Sequence, residues 1–309
     1  MKVLFVRSGN NGIDPISSMQ GKSLERLGIQ LVYYDIIGKG VTGYLKNIFS
    51  LSKYVKLHKP DIIHAHYSFS GFIISLLDRK IHKGVSLMGS DVLNANKIKK
   101  KIIKLFSRYW SFIIVKSKQM AELSRDLNPF ILPNGVDLQI FNPMDRGLSR
   151  EKLNWDNNHN HVLFGACPER REKNYPLADS VINILKKNGY PVEIHYLCNI
   201  DLENIKLYYN AADMLLLTSI YEGSPNVVKE ALACNCPIIS TDVGDVRDLL
   251  HDIEGCFVTT YDPEEIANKC IEIINRGYVE IQGHKYIKER LSSEVIASKL
   301  VKIYKKVLR

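Results

Sequence analysis

Short apolar runs alternate along this chain with longer stretches whose apolar residues recur at helical spacing. The short runs read as buried parallel strands and the longer stretches as helices that cover them. The strand pattern occupies residues 2–7, 30–34, 61–66, 85–88, 112–115 and 130–132, with helical spacing over 17–27, 44–58, 69–77 and 119–127. Residues 142–160 are polar and weakly patterned. Strands are then expected at 162–166, 192–197, 213–218, 237–240 and 255–258, and helices at 175–188, 202–211, 263–275 and 293–307. This alternation predicts an α/β chain with two Rossmann-like, doubly wound sheets. The expected division is a first domain over 1–145, a hinge over 146–160, a second domain over 161–290, and a terminal helix over 291–309 that packs back on the first domain.

One stretch gathers the chemistry. Met214-Leu215-Leu216-Leu217 reads as a buried strand, and Ser219-Ile220-Tyr221-Glu222-Gly223-Ser224-Pro225 as the loop that leaves it. Ser224 suits the cap of a following helix and Pro225 its first position. Val227, Val228, Ala231 and Leu232 continue at helical spacing; Asn235 closes the helix and Pro237 blocks its continuation. Glu222 therefore lies at the C-terminal edge of a strand and Glu230 on the next helix. Open α/β sheets bind ligands at that edge, and a helix N-terminus there favours an anion. The plainer alternative is two solvated surface carboxylates. Arg170, Arg171 and Lys173 follow strand 162–166 at the same edge. They suit a diphosphate clamp or, more plainly, an exposed charged loop. In the first half, the loop from Gly9 to Gly12 lets backbone approach a phosphate or simply turns the chain; it matches neither GxGxxG nor GxxxxGK[ST]. Strand alternation points His64 and His66 to the same side.

Composition narrows the class. The 309 residues are 45% apolar and 24% charged, and no apolar run is long enough to span a bilayer. The N-terminus reads as a strand rather than a signal peptide. Six cysteines, at 167, 198, 234, 236, 256 and 270, form no Cys-x-x-Cys pair. They are expected as reduced core thiols, with no metal site, in the cytoplasm. Charge is uneven: residues 1–150 carry 23 Lys and Arg against 10 Asp and Glu, whereas 151–309 carry 19 against 23. The basic half should face something anionic. The stretch from Lys97 to Arg108 interleaves six basic residues with Ile98, Ile102, Ile103, Leu105 and Phe106. It is a basic amphipathic helix: either a solvated face on a core helix or a patch for an anionic membrane surface. No helix-turn-helix, RRM or zinc pattern supports nucleic acid.

Taken in order, these residues resemble the retaining glycosyltransferases of family 4. The carriers are Glu222 and Glu230 in an E-x7-E pattern, the segments Tyr209-Asn210-Ala211-Ala212-Asp213 and Pro237-Ile238-Ile239-Ser240-Thr241 around them, and Leu132-Pro133-Asn134-Gly135-Val136-Asp137. Asp61-Ile62-Ile63-His64-Ala65-His66 and Gly89-Ser90-Asp91 match in the first half. The resemblance implies the GT-B fold, two domains facing a cleft, and transfer of a sugar from a nucleotide sugar to a surface-polysaccharide or lipid-linked acceptor. It assigns Glu222 to the donor sugar, Glu230 to the ribose, Gly223, Ser224, Pro225 and Asn226 to the sugar and diphosphate, and Lys173, with Arg170 and Arg171, to the leaving diphosphate. Gly12, His66 and Asp91 would stand on the acceptor or sugar side. No metal and no cofactor are expected, with a UDP-sugar as the default donor. The enzyme would be cytoplasmic and peripheral on the inner face of the membrane. Three positions depart from the family: Pro168 in place of a clamp Arg, Met88 in place of a His, and Gly244-Asp245 in place of Gly-Gly. The competing readings are a nucleotide-sugar-binding protein and an epimerase of the same fold.

Overall fold

The computed structural model describes residues 1–309 except 11, 13, 39, 278 and 279, with backbone alone at 41 and 203. Two compact units divide the chain: Met1–Gly135 with Ser293–Arg309, and Val136–Ser292.

The first unit holds strands β1 (Lys2–Ser8), β2 (Gln30–Ile36), β3 (Ile62–His66), β4 (His82–Ser86), β5 (Phe112–Val115) and β6 (Phe130–Ile131). They pair in parallel in the order β2-β1-β3-β4-β5-β6. Between them lie α1 (Pro15–Arg26), α2 (Gly40–Leu45), α3 (Ile48–His58), α4 (Ser68–Ser75), α5 (Gly89–Val92), α6 (Lys97–Ser107) and α7 (Lys118–Leu123). Local chemistry sets the helix ends. Asp14 accepts from the N–H groups of Ile16 and Ser17 with Pro15 at the first helical position, which starts α1. Lys59 turns left-handed and Pro60 follows, which stops α3. The single helix expected over 44–58 is broken at Asn47, whose side chain donates to the carbonyls of Gly43 and Ile37. That competition for backbone groups is what Asn offers in place of a helical turn. The terminal helix Ser293–Val307 packs on α1. Its fully buried Tyr304 places its hydroxyl 2.6 Å from Nδ1 of His64.

The second unit holds β7 (Asn160–Phe164), β8 (Val192–Tyr196), β9 (Met214–Leu217), β10 (Ile238–Thr241) and β11 (Phe257–Thr259), parallel in the order β11-β10-β9-β7-β8. Its helices are α8 (Arg146–Leu153), α9 (Tyr175–Lys187), α10 (Leu202–Ala211), α11 (Asn226–Ala233), α12 (Val246–Leu250), α13 (Pro263–Arg276) and α14 (Gly283–Arg290). The central strand β9 is buried on both faces. Truncating Leu215 or Leu216 to Ala would cost about 2–5 kcal/mol.

The hinge expected over 146–160 is not a linker. Asp145 caps α8 by accepting from the Leu148 N–H at 2.8 Å, and α8 packs on α10 inside the second unit. The stretch looked unpatterned because its anchor is polar. Buried Arg150 donates to Asp213 at 2.8 Å and to the Ala211 carbonyl at 2.9 Å, and Arg146 pairs with the same carboxylate.

Each sheet has one switch point, where strand order reverses: between β1 and β3 in the first unit and between β7 and β9 in the second. The loops leaving those strands are where an open α/β sheet builds a ligand site.

Candidate functional site

At the second unit's switch point, two loops converge. The loop after β7 ends in a 3-10 turn, Arg171–Lys173, closed by Asn174 in the left-handed conformation. The loop after β9 carries Glu222. Lys173 Nζ donates to Glu222 Oε1 at 2.5 Å, and Ser219 Oγ donates to the same oxygen at 2.8 Å. The ion pair is almost buried, with side-chain exposures of 8% and 15%. Backbone stitches the loops together: Ile220 N–H donates to the Glu172 carbonyl, and Thr218 Oγ1 to that of Lys173. Removing one partner of such a pair leaves a buried charge uncompensated, a loss of about 3–5 kcal/mol. Gly244 presses on this loop from the turn after β10. It has φ +61°, and a Cβ there would stand 2.9 Å from the carbonyl oxygens of Glu222 and Gly223. A side chain at that position would push the loop away.

The start of α11 differs from the expected one. The helix begins at Asn226, Pro225 occupies the cap position without a side-chain bond, and Ser224 is free of capping duty. The Ser224 hydroxyl instead accepts from Lys229 Nζ at 3.1 Å. Lys229 is fully buried. Burial brings its amine down to about 8, against the opposing pull of Asp245 and Glu230. Burial likewise pushes the Asp245 carboxyl up, with Lys229 and Ser224 drawing it back. The Asp245 Oδ1 has no hydrogen-bond partner among the described residues. Sequence reasoning gave neither residue a role. The available signal was a lysine inside Val227-Val228-Lys229-Glu230-Ala231-Leu232, where its neighbours face the core.

Glu230 lies one helical turn on. Its Oε2 accepts from the hydroxyl of buried Tyr209 at 2.8 Å. Burial pushes the Glu230 carboxyl up, while the Tyr209 hydrogen bond and the Lys229 charge oppose it. The carboxylate is thus aimed from α10 before any ligand arrives. The remaining clamp candidates stand apart. Arg170 is exposed and donates to Glu172 Oε1 at 2.8 and 2.6 Å; Arg171 is exposed at the start of the turn.

In the first unit the switch-point residues are absorbed by their own fold. Gly12 has φ +81° in the loop after β1; Asn11 beside it lies outside the described residues. Asn10 holds that loop to Gly38, with bonds of 2.9 and 2.7 Å to its carbonyl and N–H. Asp91 is fully buried and caps: it accepts from Ser68 N–H and Oγ and from Met88 N–H, and pairs with Lys99 at 3.0 Å. His64 contacts Tyr304 Oη and Ser86 Oγ. His66, also buried, stacks on His64 at 4.7 Å. Its Nε2 has no partner among the described residues. Burial, aided by Lys116, brings its imidazole down to about 3.

The cysteine expectation is corrected at two positions. Cys167 and Cys198 form a disulfide, with Cα atoms 4.7 Å apart, across the loops that leave β7 and β8. Sequence spacing could not show it: parallel pairing of β7 with β8 brings together two cysteines that lie 31 residues apart. Cys234, Cys236, Cys256 and Cys270 are free thiols. The inference from all-reduced cysteines to compartment loses its premise. Among the described residues, no helix is long and apolar enough to cross a membrane.

Comparisons with known proteins bear on the class of the chain. Residues 156–276 match the family model for glycosyl transferases group 1, and residues 7–117 the glycosyl transferase 4-like model. The chain is 27% identical over 218 residues to a putative teichuronic acid biosynthesis glycosyltransferase, TuaC, of Bacillus subtilis; the match covers 62% of this chain and 55% of that one. It is 22% identical to a UDP-Gal:alpha-D-GlcNAc-diphosphoundecaprenol alpha-1,3-galactosyltransferase of Escherichia coli, over 77% of this chain and 73% of the relative. Among solved structures, a sucrose-phosphate synthase of Thermosynechococcus elongatus superposes with a TM-score of 0.80 at 16% identity, over 99% of both chains. The fold is α/β with two parallel sheets of the GT-B kind, and the relatives support glycosyl transfer as the general activity.

Proposed function

We propose, from glycosyltransferase matches in both halves of the chain, that this protein moves a sugar from a nucleotide sugar to a saccharide or lipid-linked acceptor, with retention of anomeric configuration. The observation that carries the reading is the Lys173–Glu222 pair at the β7/β9 switch point. In this reading the donor's diphosphate competes with Glu222 for the Lys173 ammonium. Glu222, so released, accepts from the sugar hydroxyls. Glu230, oriented by Tyr209, takes the ribose. Charge on the departing diphosphate is met by Lys173 and by the N–H groups opening α11, so positioning and electrostatics lower the barrier. No metal enters that scheme. A UDP-sugar is the default donor, in line with the donor named for the Escherichia coli relative.

The proposal extends to an anionic membrane surface. Ile98, Ile102 and Leu105 lie along one stripe of α6, 68%, 38% and 50% exposed, and only Ile103 of that helix is buried. A solvated lysine face on a core helix would have hidden those apolar groups. Exposed apolar residues among lysines suit anionic headgroups, which would place the protein peripherally on the cytoplasmic face.

The deciding experiment incubates the protein with several nucleotide sugars and a prenyl-diphosphate-linked saccharide. It follows nucleotide diphosphate release and the product's anomeric signal by NMR. Glycosylated acceptor with the donor's configuration supports the reading. Nucleotide binding without transfer would hand it to the binding-protein alternative, and interconversion of the free donor to the epimerase.

A further inference from the structure

The second unit carries a cluster that the glycosyl-transfer reading does not use. His161, near the start of β7, is the register partner of Glu193 on β8, and His195 lies two residues beyond Glu193. Strand alternation puts the three side chains on one face of the sheet. His161 Nδ1 and His195 Nε2 are 2.9 Å apart, and Glu193 Oε2 lies 3.7 and 3.8 Å from them. From this convergence we propose a divalent transition-metal site of the zinc class, with His161 Nδ1, His195 Nε2 and the Glu193 carboxylate as ligands.

Four features fit. First, His161 Nε2 sits 2.7 Å from the Asp156 carbonyl oxygen. That oxygen can only accept, so the proton is on Nε2 and the lone pair of Nδ1 faces the cluster. A metal-ligating imidazole is fixed by this kind of outer hydrogen bond. Second, zinc–nitrogen bonds of ~2.05 Å in tetrahedral array separate ligand atoms by roughly 3.3 Å. The observed separations bracket that value, so shifts of about 0.4 Å suffice. Third, both imidazoles are largely withdrawn from water, with side-chain exposures of 0% for His161 and 18% for His195. Arg146 and Arg150 would repel a cation, but both pair with Asp213. Fourth, Trp155 stacks on His195 at 3.6 Å and on His161 at 4.7 Å, which holds the rings in place. Glu193 is 43% exposed and opens an entry path. His159 Nδ1 is held by Asp156 at 2.9 Å, which leaves the fourth position to water.

Binding needs His195 only to move its proton from Nε2 to Nδ1. The ion would tie edge strand β8 to β7 in the half of β7 away from the Lys173 loop. Its effect would be on the stability of this unit.

The test uses the full chain, stripped with chelator and titrated with zinc by calorimetry, then with cobalt(II) by absorption and Trp155 fluorescence in a Trp110→Phe background. Expected are one zinc per chain, tetrahedral cobalt bands, quenching of Trp155, and a thermal midpoint raised by about 5–10 °C at hundredfold excess over Kd. His195→Gln and Glu193→Gln should each weaken binding at least tenfold while folding as the wild type does. Absence of stoichiometric zinc binding would overturn the proposal. So would binding that survives both variants, or binding lost on Cys198→Ser instead, which would move the site to the thiols.

Discussion

The two units share a strand arrangement yet use their switch points differently. In the second, the loops after β7 and β9 hold opposite charges against each other at the sheet edge, Lys173 on Glu222. In the first, the corresponding groups are turned into the fold: Asp91 is saturated by capping, and His64 and His66 are buried and neutral. A topology places a site; it does not decide whether the residues there do chemistry or hold the backbone. An ion pair whose partners can each be drawn to a ligand is poised for function. A carboxylate that already accepts from four donors is structural.

The contrast is broken most directly by activity. Lys173→Ala and Glu222→Gln should each lower kcat by about 10²–10³, with the double variant little worse than either single one. Arg170→Ala, which removes only the exposed partner of half-buried Glu172, should stay within a few-fold. Turnover assays with melting curves alongside separate this from unfolding. If His66→Asn were the variant that lost activity and Lys173→Ala the silent one, the roles of the two switch points would be reversed.

Stability should also divide by unit, and the two tryptophans make that visible: Trp110 lies in the first unit and Trp155 in the second. The disulfide closes a loop of 31 residues, so Cys167→Ser with Cys198→Ser should cost about 3–4 kcal/mol. Urea unfolding followed by Trp155 should register the loss, and Trp110 should not. Acid should act in the opposite sense. His64 and His66 are neutral when folded and titrate near 6.5 when unfolded, so the unfolded first unit binds more protons. Their stabilisation is complete above pH 6.5 and declines as pH falls towards about 3 for His66. The slope is up to about 1.4 kcal/mol per pH unit for each imidazole. His66→Asn should flatten the Trp110 profile across that window.

What the sequence made legible follows the same division. Strand–helix alternation and the E-x7-E spacing are local, and they located both sheets, Glu222 and the loop of Lys173. Features that depend on pairing between distant segments were hidden. The Cys167–Cys198 bond needs β7 beside β8. The role of α8 needs Arg150 to find Asp213. The Lys173–Glu222 contact needs two loops separated by 49 residues to meet. Asp91 is an expected site residue through the family resemblance of its Gly-Ser-Asp turn, and a resemblance in sequence does not distinguish a cap from a contact. Lys229 shows the converse: a charged residue on an apolar helix looks like a surface lysine until Ser224 and Asp245 are placed around it.

The smallest effect sharpens the comparison furthest, because each unit offers the same chemical change. Tyr209→Phe removes the O–H that Glu230 accepts from, and Tyr304→Phe removes the one that faces His64. A hydrogen bond to a charged group contributes about 1.5–3 kcal/mol and a neutral one about 1 kcal/mol. With Glu230 already pushed up by burial and drawn down by Tyr209, losing the donor raises its carboxyl further. Donor binding that needs the carboxylate would then fall off at a higher pH than in the wild type. Tyr209→Phe should raise the donor KM about tenfold at neutral pH and shift the acid limb of kcat/KM upward, with kcat little changed. Tyr304→Phe should lower the melting point of the first unit and leave the KM and its pH profile where they were. Equal KM effects from both variants would mean that the hydroxyls serve packing alone, and that Glu230 is not aimed by Tyr209.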